Sequence, residues 1–585
     1  MTILARRMIW VIASILMSAL LISGCSSGEQ SLYTNAPGWS RAPMIGVSAL
    51  VDPVPVALDD DGNIYFFLIG VAEDGYAPHV IKLNREGALV LDVSIPAELV
   101  QPHQPEILWD GSSLDLFYIS DQSLYHAEIN TEGTMITAPE MVSGGIKTDQ
   151  YAVAAGPEGG VAVFFSGPRR EPGLHSLDLN TGEILMLDAR GVRPQLVYDG
   201  EGTLHALWAL YPPGLADSAL YYAAYPGGDI SAGMDVIIAE PRLGISNVLQ
   251  GPQLGLDGER VYIFWAERIM TGMQVGVVQS KYITFPIGRP DQVSEERDLR
   301  APEAYELPYA SWEGDGFAIG DRVDLAAEQI SSTSSLTHVF PIRPMADELI
   351  AVFEIKADFL RRKSEIQIGV LSFDETPASY QLISFTSIGS QLPYLLTDGE
   401  GLYLTWIEKS ISAGYEVRFA TTAPDLAASL NNLTGDDVLS IIGSILFGFV
   451  SGILLLPMGL IWIVLPILIL AVFSFLRTDD SSFSSPLNII SLVLSLGAYW
   501  ASKFVILPGI SSYVPFSAWI PILPDAWDLP LRIGVPVLIA AVGFFTAYQF
   551  AIRREMRSTF FFMLMYAIVD GLLTLGVYGV LIYGG

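Results

Sequence analysis

The stretch PQLVYDGEGTLHALW, from Pro194 to Trp208, has four close relatives elsewhere in the chain. They are PVALDDDGNIYFF from Pro55, PEILWDGSSLDLFY from Pro105, PQLGLDGERVYIFW from Pro252 and PYLLTDGEGLYLTW from Pro393. In all five an acidic residue stands five positions after the proline, a Gly-rich turn follows, and an apolar run ends on aromatic residues. A weaker copy, PYASWEGDG, begins at Pro308, and a diverged one, YAVAAGPEGGVAVFF, at Tyr151.

Each phrase reads as strand, tight turn, strand, because Asp and Gly supply turn chemistry between runs rich in β-branched and aromatic residues. A second hairpin usually follows, as HVIKLNREG and ALVLDVSIP do after the first copy. Four strands in each roughly 40–60 residues is the period of a β-propeller, in which one blade cannot bury both of its faces and its neighbours must complete the core. Seven blades fit best, with residues 295–335 as an irregular insertion; eight is the alternative if Pro308 opens a blade. The last copy lacks a fourth strand, which the reading supplies from residues near Pro43 to Val51. Over residues 50–422 the repeat resembles those of sialidase-type and related bacterial surface propellers. The full Asp-box, Ser-x-Asp-x-Gly-x-x-Trp, and an Arg-Ile-Pro motif are absent, so the resemblance implies the fold and carries no activity with it.

The chain opens with Arg6 and Arg7, an apolar core from Met8 to Ile22, and the small residues Ser23 and Gly24 before Cys25, its single cysteine. That pattern is a secretory signal. The run Leu21-Ile22-Ser23-Gly24-Cys25 resembles a bacterial lipobox, which implies cleavage after Gly24 and a lipid on Cys25. An exported domain without further cysteines is stabilised by its core rather than by disulfides.

From Val438 onward four apolar stretches, 438–476, 486–507, 532–552 and 559–583, read as membrane spans. Arg553, Arg554 and Arg557 place the loop between the last two in the cytoplasm, and the loop with Trp519 and Trp527 outside. One crossing by the first stretch, kinked near Pro457 or Pro466, satisfies this bias; four crossings result, with five as the alternative. Asp570 stands about 11 residues into the last span, roughly 16 Å deep, where an ionised carboxylate needs a partner or water. Lys503 either reaches towards it or snorkels to the outer surface.

The expected organisation is a signal segment 1–24, a tether 25–41, an extracytoplasmic all-β propeller 42–422, a linker 423–437 and an all-α transmembrane domain 438–585, in a bacterial cytoplasmic membrane. Residues 26–437 hold 23 Lys and Arg against 57 Asp and Glu, a balance of −34. Such a surface repels nucleic acid. Against that background, loops between second and third strands collect Arg169, Arg170, Arg268, Arg361, Arg362, Lys363 and Lys409 on one rim, and the loop after Trp208 adds Tyr211. Both tethers leave by the Asp-Gly face, so the basic rim is presented outward as a candidate site for an anionic glycan or protein.

Catalytic chemistry is hard to find. The six histidines are dispersed, and there is no HExxH, G-x-S-x-G or P-loop, so neither a catalytic set, a metal site nor a cofactor is expected. Asp59, Asp60, Asp61 and Asn63 lack the rest of a calcium loop and read as a hairpin turn. The leading reading is a non-catalytic recognition or assembly module. A sialidase-like surface glycosidase and an accessory subunit of a transport or signalling complex are the alternatives. A Cys25→Ser chain should still sediment with membranes, because the spans hold it; its release into the medium would overturn the reading of residues after 438.

Overall fold

A computed structural model describes residues 36–432 apart from 73–74, 96–99, 157–158, 169, 211–217, 234, 242–246, 273–274, 303–321, 326–332, 342–347, 360–362, 385, 387–388 and 411–413, together with 456–475, 485–506, 528–553 and 558–583. These residues fall into two compact units, one within Asn35–Asn432 and one within Leu433–Gly585.

The first unit is a seven-bladed β-propeller. Blades 1 to 5 are four-stranded antiparallel sheets over residues 56–94, 103–141, 150–188, 191–239 and 247–298, each with its strands in chain order. Blade 6, over 337–382, adds a fifth strand, Val323–Asp324, outside its outermost one. Blade 7 takes three strands from 390–421, and its fourth is Met44–Ser48, antiparallel to Tyr415–Thr421 with Val47 opposite Glu416. The expected closing strand is therefore present. The phrase at Pro308 lies outside the described residues, and the strands that flank it form a two-stranded ribbon, Arg300–Pro302 with Thr333–Ser335.

The core is a ring of clusters, each shared by adjacent blades. Tyr65 and Phe67 of blade 1 pack with Leu114 and Tyr118 of blade 2, Phe117 of blade 2 with Val153 and Phe165 of blade 3, and Val417 and Phe419 of blade 7 with Ile64 and Phe66 of blade 1. Second strands are consequently covered on both faces, and Leu114–Ser120 and Leu204–Leu210 are buried at every residue. This explains why runs such as LHALWAL are almost continuously apolar rather than alternating.

The proline of the phrase marks a bulge in the innermost strand. At Pro105, Pro194, Pro252 and Pro393 three residues of the first strand span two of the second. The residue before each, Gln104, Arg193, Gly251 or Leu392, has a φ of 51°, 57°, 86° or 52°. A non-glycine residue holds that conformation only with support. Three of these backbone N–H groups donate to a side chain supplied from an earlier part of the ring: Gln104 to Asp52 Oδ2 (3.0 Å), Arg193 to Ser166 Oγ (3.2 Å) and Leu392 to Glu354 Oε1 (2.7 Å).

The acidic residue of the phrase closes the turn. Asp199 Oδ1 accepts N–H bonds from Glu201 and Thr203, Asp257 Oδ1 from Glu259 and Arg260, and Asp398 Oδ1 from Glu400 and Gly401. The other oxygen takes a side-chain donor from the second strand: Tyr262 OH on Asp257 and Tyr403 OH on Asp398, both at 2.7 Å. In the first copy the role falls to Asp59, four residues after Pro55, and not to Asp60: Asp59 accepts from Asp61 N, Asn63 N and Tyr65 OH. Asp110 Oδ1 likewise accepts from Ser112 N and Ser113 N. Burial works against the ionised forms of Asp59, Asp110 and Asp199, but their hydrogen bonds outweigh it and hold all three carboxyls below the ordinary range. The constant element is the carboxylate, since the left-handed glycine shifts from Gly62, three residues after Asp59, to Gly111, next to Asp110.

After Thr421 the chain forms a short helix, α1 (Pro424–Leu430), where the sequence reading has only a linker. Leu426 and Leu430 pack on the blade 7–blade 1 cluster, and Ser429 Oγ donates to Glu86 O at 2.6 Å. Arg41 meets the end of this helix, its N–H donating to Asn431 Oδ1 (2.8 Å) and its Nη1 to Asn432 O (3.3 Å). The two ends of the propeller therefore leave side by side.

The second unit contains α2 (Leu456–Phe475), α3 (Pro486–Ile506), α4 (Asp528–Arg553) and α5 (Thr559–Tyr583). Within the last two, Ile533–Ala551 and Thr559–Tyr578 are long and apolar enough to cross a membrane. Pro457 lies in the first turn of α2 and Pro466 inside it. The helices share one core, in which Trp462, Tyr499, Tyr566 and Tyr578 are buried.

Asp257→Ala would leave two turn N–H groups and the Tyr262 hydroxyl without their acceptor. It should lower propeller stability in chemical denaturation by about 1–3 kcal/mol, and Asp257→Asn, which keeps an acceptor, should lose less. Unchanged stability of the alanine variant would contradict the role given to the carboxylate.

Candidate functional site

The candidate rim follows from strand order. In blades 1 to 6 the turn from first to second strand and the turn from third to fourth lie on one face of the ring, and in all seven the connection from second to third lies on the other. Arg170 lies between the second and third strands of blade 3, Arg268 near the end of the second strand of blade 5, and Lys409 at the end of the second strand of blade 7. All three are exposed. Lys363 begins the third strand of blade 6. Arg169, Arg361, Arg362 and Tyr211 lie outside the described residues, as does Cys25. The topology thus assigns the described candidates to one face, but spreads them over four blades rather than gathering them into a pocket.

The acidic neighbours of two of these cations turn inward to a cation that each shares with a second glutamate, Lys281 with Glu296 (2.5 Å) and Arg418 with Glu416 (2.7 Å). Glu267, beside Arg268, is buried and pairs with Lys281 at 3.4 Å. Glu408, beside Lys409, is buried and takes Arg418 Nε (3.1 Å), Trp406 Nε1 (2.9 Å) and Ser390 Oγ (3.1 Å). Arg193, a further cation near this face, commits Nη1 to the carbonyls of Leu249 and Gly251. The opposite face carries exposed Asp60, Asp61, Glu201, Glu259, Asp374 and Glu400 on its turns. Exposed Asp121, Asp149 and Glu171 share the first face with these cations and exposed Arg85 and Arg289 share the opposite one, so the difference lies in the turns of the opposite face, which are the more acidic.

The arrangement nearest to a catalytic triad is sealed. His205 is 1 % exposed and lies between Tyr222 OH (2.5 Å from Nδ1) and Asp199 Oδ2 (3.0 Å from Nε2). Burial pushes the imidazole below its ordinary value. A neutral ring with its proton on Nε2 satisfies both contacts, donating to Asp199 and accepting from Tyr222. Because Asp199 also holds the blade 4 turn, this network belongs to the fold. Tyr222 and Tyr225 are core residues and Tyr221 stacks on Trp208, so the described tyrosines near Tyr211 do not form a free aromatic surface. Among the described residues no group of three or more His, Cys, Asp or Glu is placed to hold a metal ion.

In the helical unit the two polar candidates meet. Lys503 Nζ of α3 lies 2.7 Å from Asp570 Oδ2 of α5 and donates also to Thr574 Oγ1 at 2.7 Å. Tyr499 OH donates to the same Asp570 Oδ2 at 2.8 Å. Lys503 is 3 % and Asp570 0 % exposed, which decides against snorkelling. The ammonium lies 4.8 Å from the centre of the Trp500 ring and 5.8 Å from that of Trp462, within reach of cation–π attraction. Trp500 Nε1 in turn donates to Tyr566 OH at 3.0 Å. Gly543 of α4 lies against this site, where an added Cβ would sit 3.4 Å from Asp570 Cβ.

No protein-family model and no curated protein matches the chain. Among solved structures it is similar to the polysaccharide lyase Uly1, at 7 % identity and a TM-score of 0.41, over 64 % of this chain and 90 % of that one. An ulvan lyase of a new polysaccharide lyase family gives 11 % and 0.39, over 64 % and 95 %. The β-propeller domain of the Trilobed protease from Pyrococcus furiosus gives 9 % and 0.34, over 64 % and 94 %. Likeness at this level is one of architecture and transfers no activity.

Removing one member of a buried ion pair strands the other charge, at a cost of about 3–5 kcal/mol. Lys503→Met and Asp570→Leu should each sharply reduce the fraction of detergent-extracted protein that stays monodisperse on heating, and the double variant should recover most of it. Single variants as stable as the parent would contradict the pairing.

Proposed function

We propose that this chain is a membrane-held extracytoplasmic recognition or assembly module, in which the propeller face away from the chain ends binds an anionic glycan or an acidic protein surface. The observation that carries the reading is the more acidic set of turns on one face, combined with the exit of both chain ends from that face. Arg268 and Lys409 are exposed, and the glutamates beside them in sequence turn inward to Lys281 and Arg418 instead. Separation of the cations over several blades suits an extended polyanion or a broad protein surface better than a small molecule. A lipid on Cys25 and the C-terminal helices, crossing four times under the positive-inside bias, would serve as two anchors in a bacterial cytoplasmic membrane.

The test is binding of the purified full-length protein to a panel of acidic and neutral polysaccharides at low and moderate salt. Combined Arg170→Glu, Arg268→Glu and Lys409→Glu substitutions should weaken acidic-polysaccharide binding by about tenfold or more, equivalent to 1.4 kcal/mol. Asp61→Lys with Glu201→Lys on the other face should leave it unchanged. Equal binding by both variants, or binding only to neutral polysaccharides, would overturn the reading.

A further inference from the structure

The first strand of each blade is the innermost, and at the face away from the chain ends these strands begin around the propeller axis. Two residues along from Gln104 of blade 2, Glu106 Oε2 accepts Tyr394 OH of blade 7 at 3.3 Å. That contact passes on the axis side of blade 1 and closes part of the opening from below.

Three polar groups at this mouth have no protein partner for one of their atoms. His103, the first residue of blade 2, has Nδ1 3.1 Å from Gln101 O. A carbonyl only accepts, so the neutral ring carries its proton on Nδ1 and presents a lone pair at Nε2. Nε2 has no hydrogen-bond partner among the described residues. The side-chain oxygens of Gln104 and of Gln250, three blades further round, are likewise without one. Each such group costs about 1–3 kcal/mol in a protein that has nothing to offer it, and so asks for a role.

The backbone that carries these groups is held from neighbouring blades. Gln101 and Gln104, which bracket His103, have φ of 47° and 51°, strain of the kind that gathers at binding sites. Asp52 Oδ2 takes the N–H of Gln104, and Tyr151 OH of blade 3 donates to its carbonyl. Beside Gln250, Arg193 of blade 4 takes the carbonyls of Leu249 and Gly251. Groups fixed in advance in this way lose little freedom when a ligand arrives.

We propose that this axial mouth is a recognition site for one neutral sugar unit, with His103 Nε2 accepting from a hydroxyl and the amides of Gln104 and Gln250 bonding hydroxyls from opposite sides of the axis. A hydroxyl both donates and accepts, an amide does the same, and the imidazole adds an acceptor. None of the three carries a charge, so the unit they match is uncharged. The inference rests on the face assigned above to glycan recognition and deepens it, since it uses none of the cations on the rim.

The experiment is a calorimetric titration of the full-length protein, in a detergent without a sugar head group, with cellobiose, lactose, mannobiose and xylobiose. Saturable binding of at least one, with a Kd of about 1 mM or below, is expected. His103→Asn keeps a donor for Gln101 O but places nothing where Nε2 stood, and Gln250→Ala removes the amide from the far side. Each should weaken binding about tenfold with the melting temperature unchanged, and His103→Gln, which returns a polar atom to the Nε2 position, should recover most of it. The combined Arg170→Glu, Arg268→Glu and Lys409→Glu substitutions should leave disaccharide binding as it was, so that failure of the charged rim and failure of this site are told apart. No binding of any of the disaccharides, binding unaltered in both axial variants, or binding lost through the rim substitutions would each overturn the proposal.

Discussion

In this seven-bladed ring the last blade is tied to the first by one strand of five residues, in addition to the core the two blades share. Met44–Ser48 completes blade 7, so ladder hydrogen bonds join the two ends of the propeller where a chain-order arrangement would leave an open seam. Ser40 reinforces it, its N–H donating to Thr421 O at 2.7 Å while its Oγ accepts Thr421 N–H at 3.0 Å. Every interblade cluster depends on this closure, because each blade buries its faces against two neighbours and an open ring would expose two of them. The same tie brings Arg41 beside Asn431 and Asn432, so that both ends of the propeller leave by the Asp-Gly face.

Within the ring, the repeated phrase solves two backbone problems at opposite ends of the innermost strand. At one end, proline marks a bulge whose strained preceding residue is held by a side chain from an earlier part of the ring. At the other, aspartate gathers the N–H groups of the turn and anchors them to the second strand. Pro194 and Asp199 are five residues apart because the straight part of the strand lies between these two devices. That spacing made five blades legible in sequence, and the apolar runs made their second strands legible as well. Blade 6 follows from the count of seven rather than from the phrase, since the sequence between its first two strands, Pro344-Met345-Ala346-Asp347-Glu348, lacks the Asp-Gly pair. The exchange of Asp59 for Asp60 escaped because three consecutive aspartates satisfy the same pattern.

Site residues were legible as types rather than as arrangements. Asp570 and Lys503 stand out from sequence because charge is costly in an apolar helix, but their pairing depends on how α3 and α5 pack, which no local pattern encodes. Tyr499 and Thr574 were missed for that reason, although Tyr499 precedes Lys503 by four residues and Thr574 follows Asp570 by four, the spacing that puts each on its neighbour's face of the helix. On the propeller, sequence order located the cations in second-to-third connections. It did not show that Glu267 and Glu408 turn inward to Lys281 and Arg418 rather than outward beside Arg268 and Lys409.

Closure by the N-terminal strand is the claim on which the exposed face and the paired exits both rest, and amide hydrogen exchange on the full-length protein in detergent addresses it directly. The account predicts that those amides of Met44–Ser48 that donate to Tyr415–Thr421 are protected like their partners in the ladder, while the outward-facing amides of this edge strand exchange fast. Rapid exchange across Met44–Ser48, with Tyr415–Thr421 still protected, would contradict it.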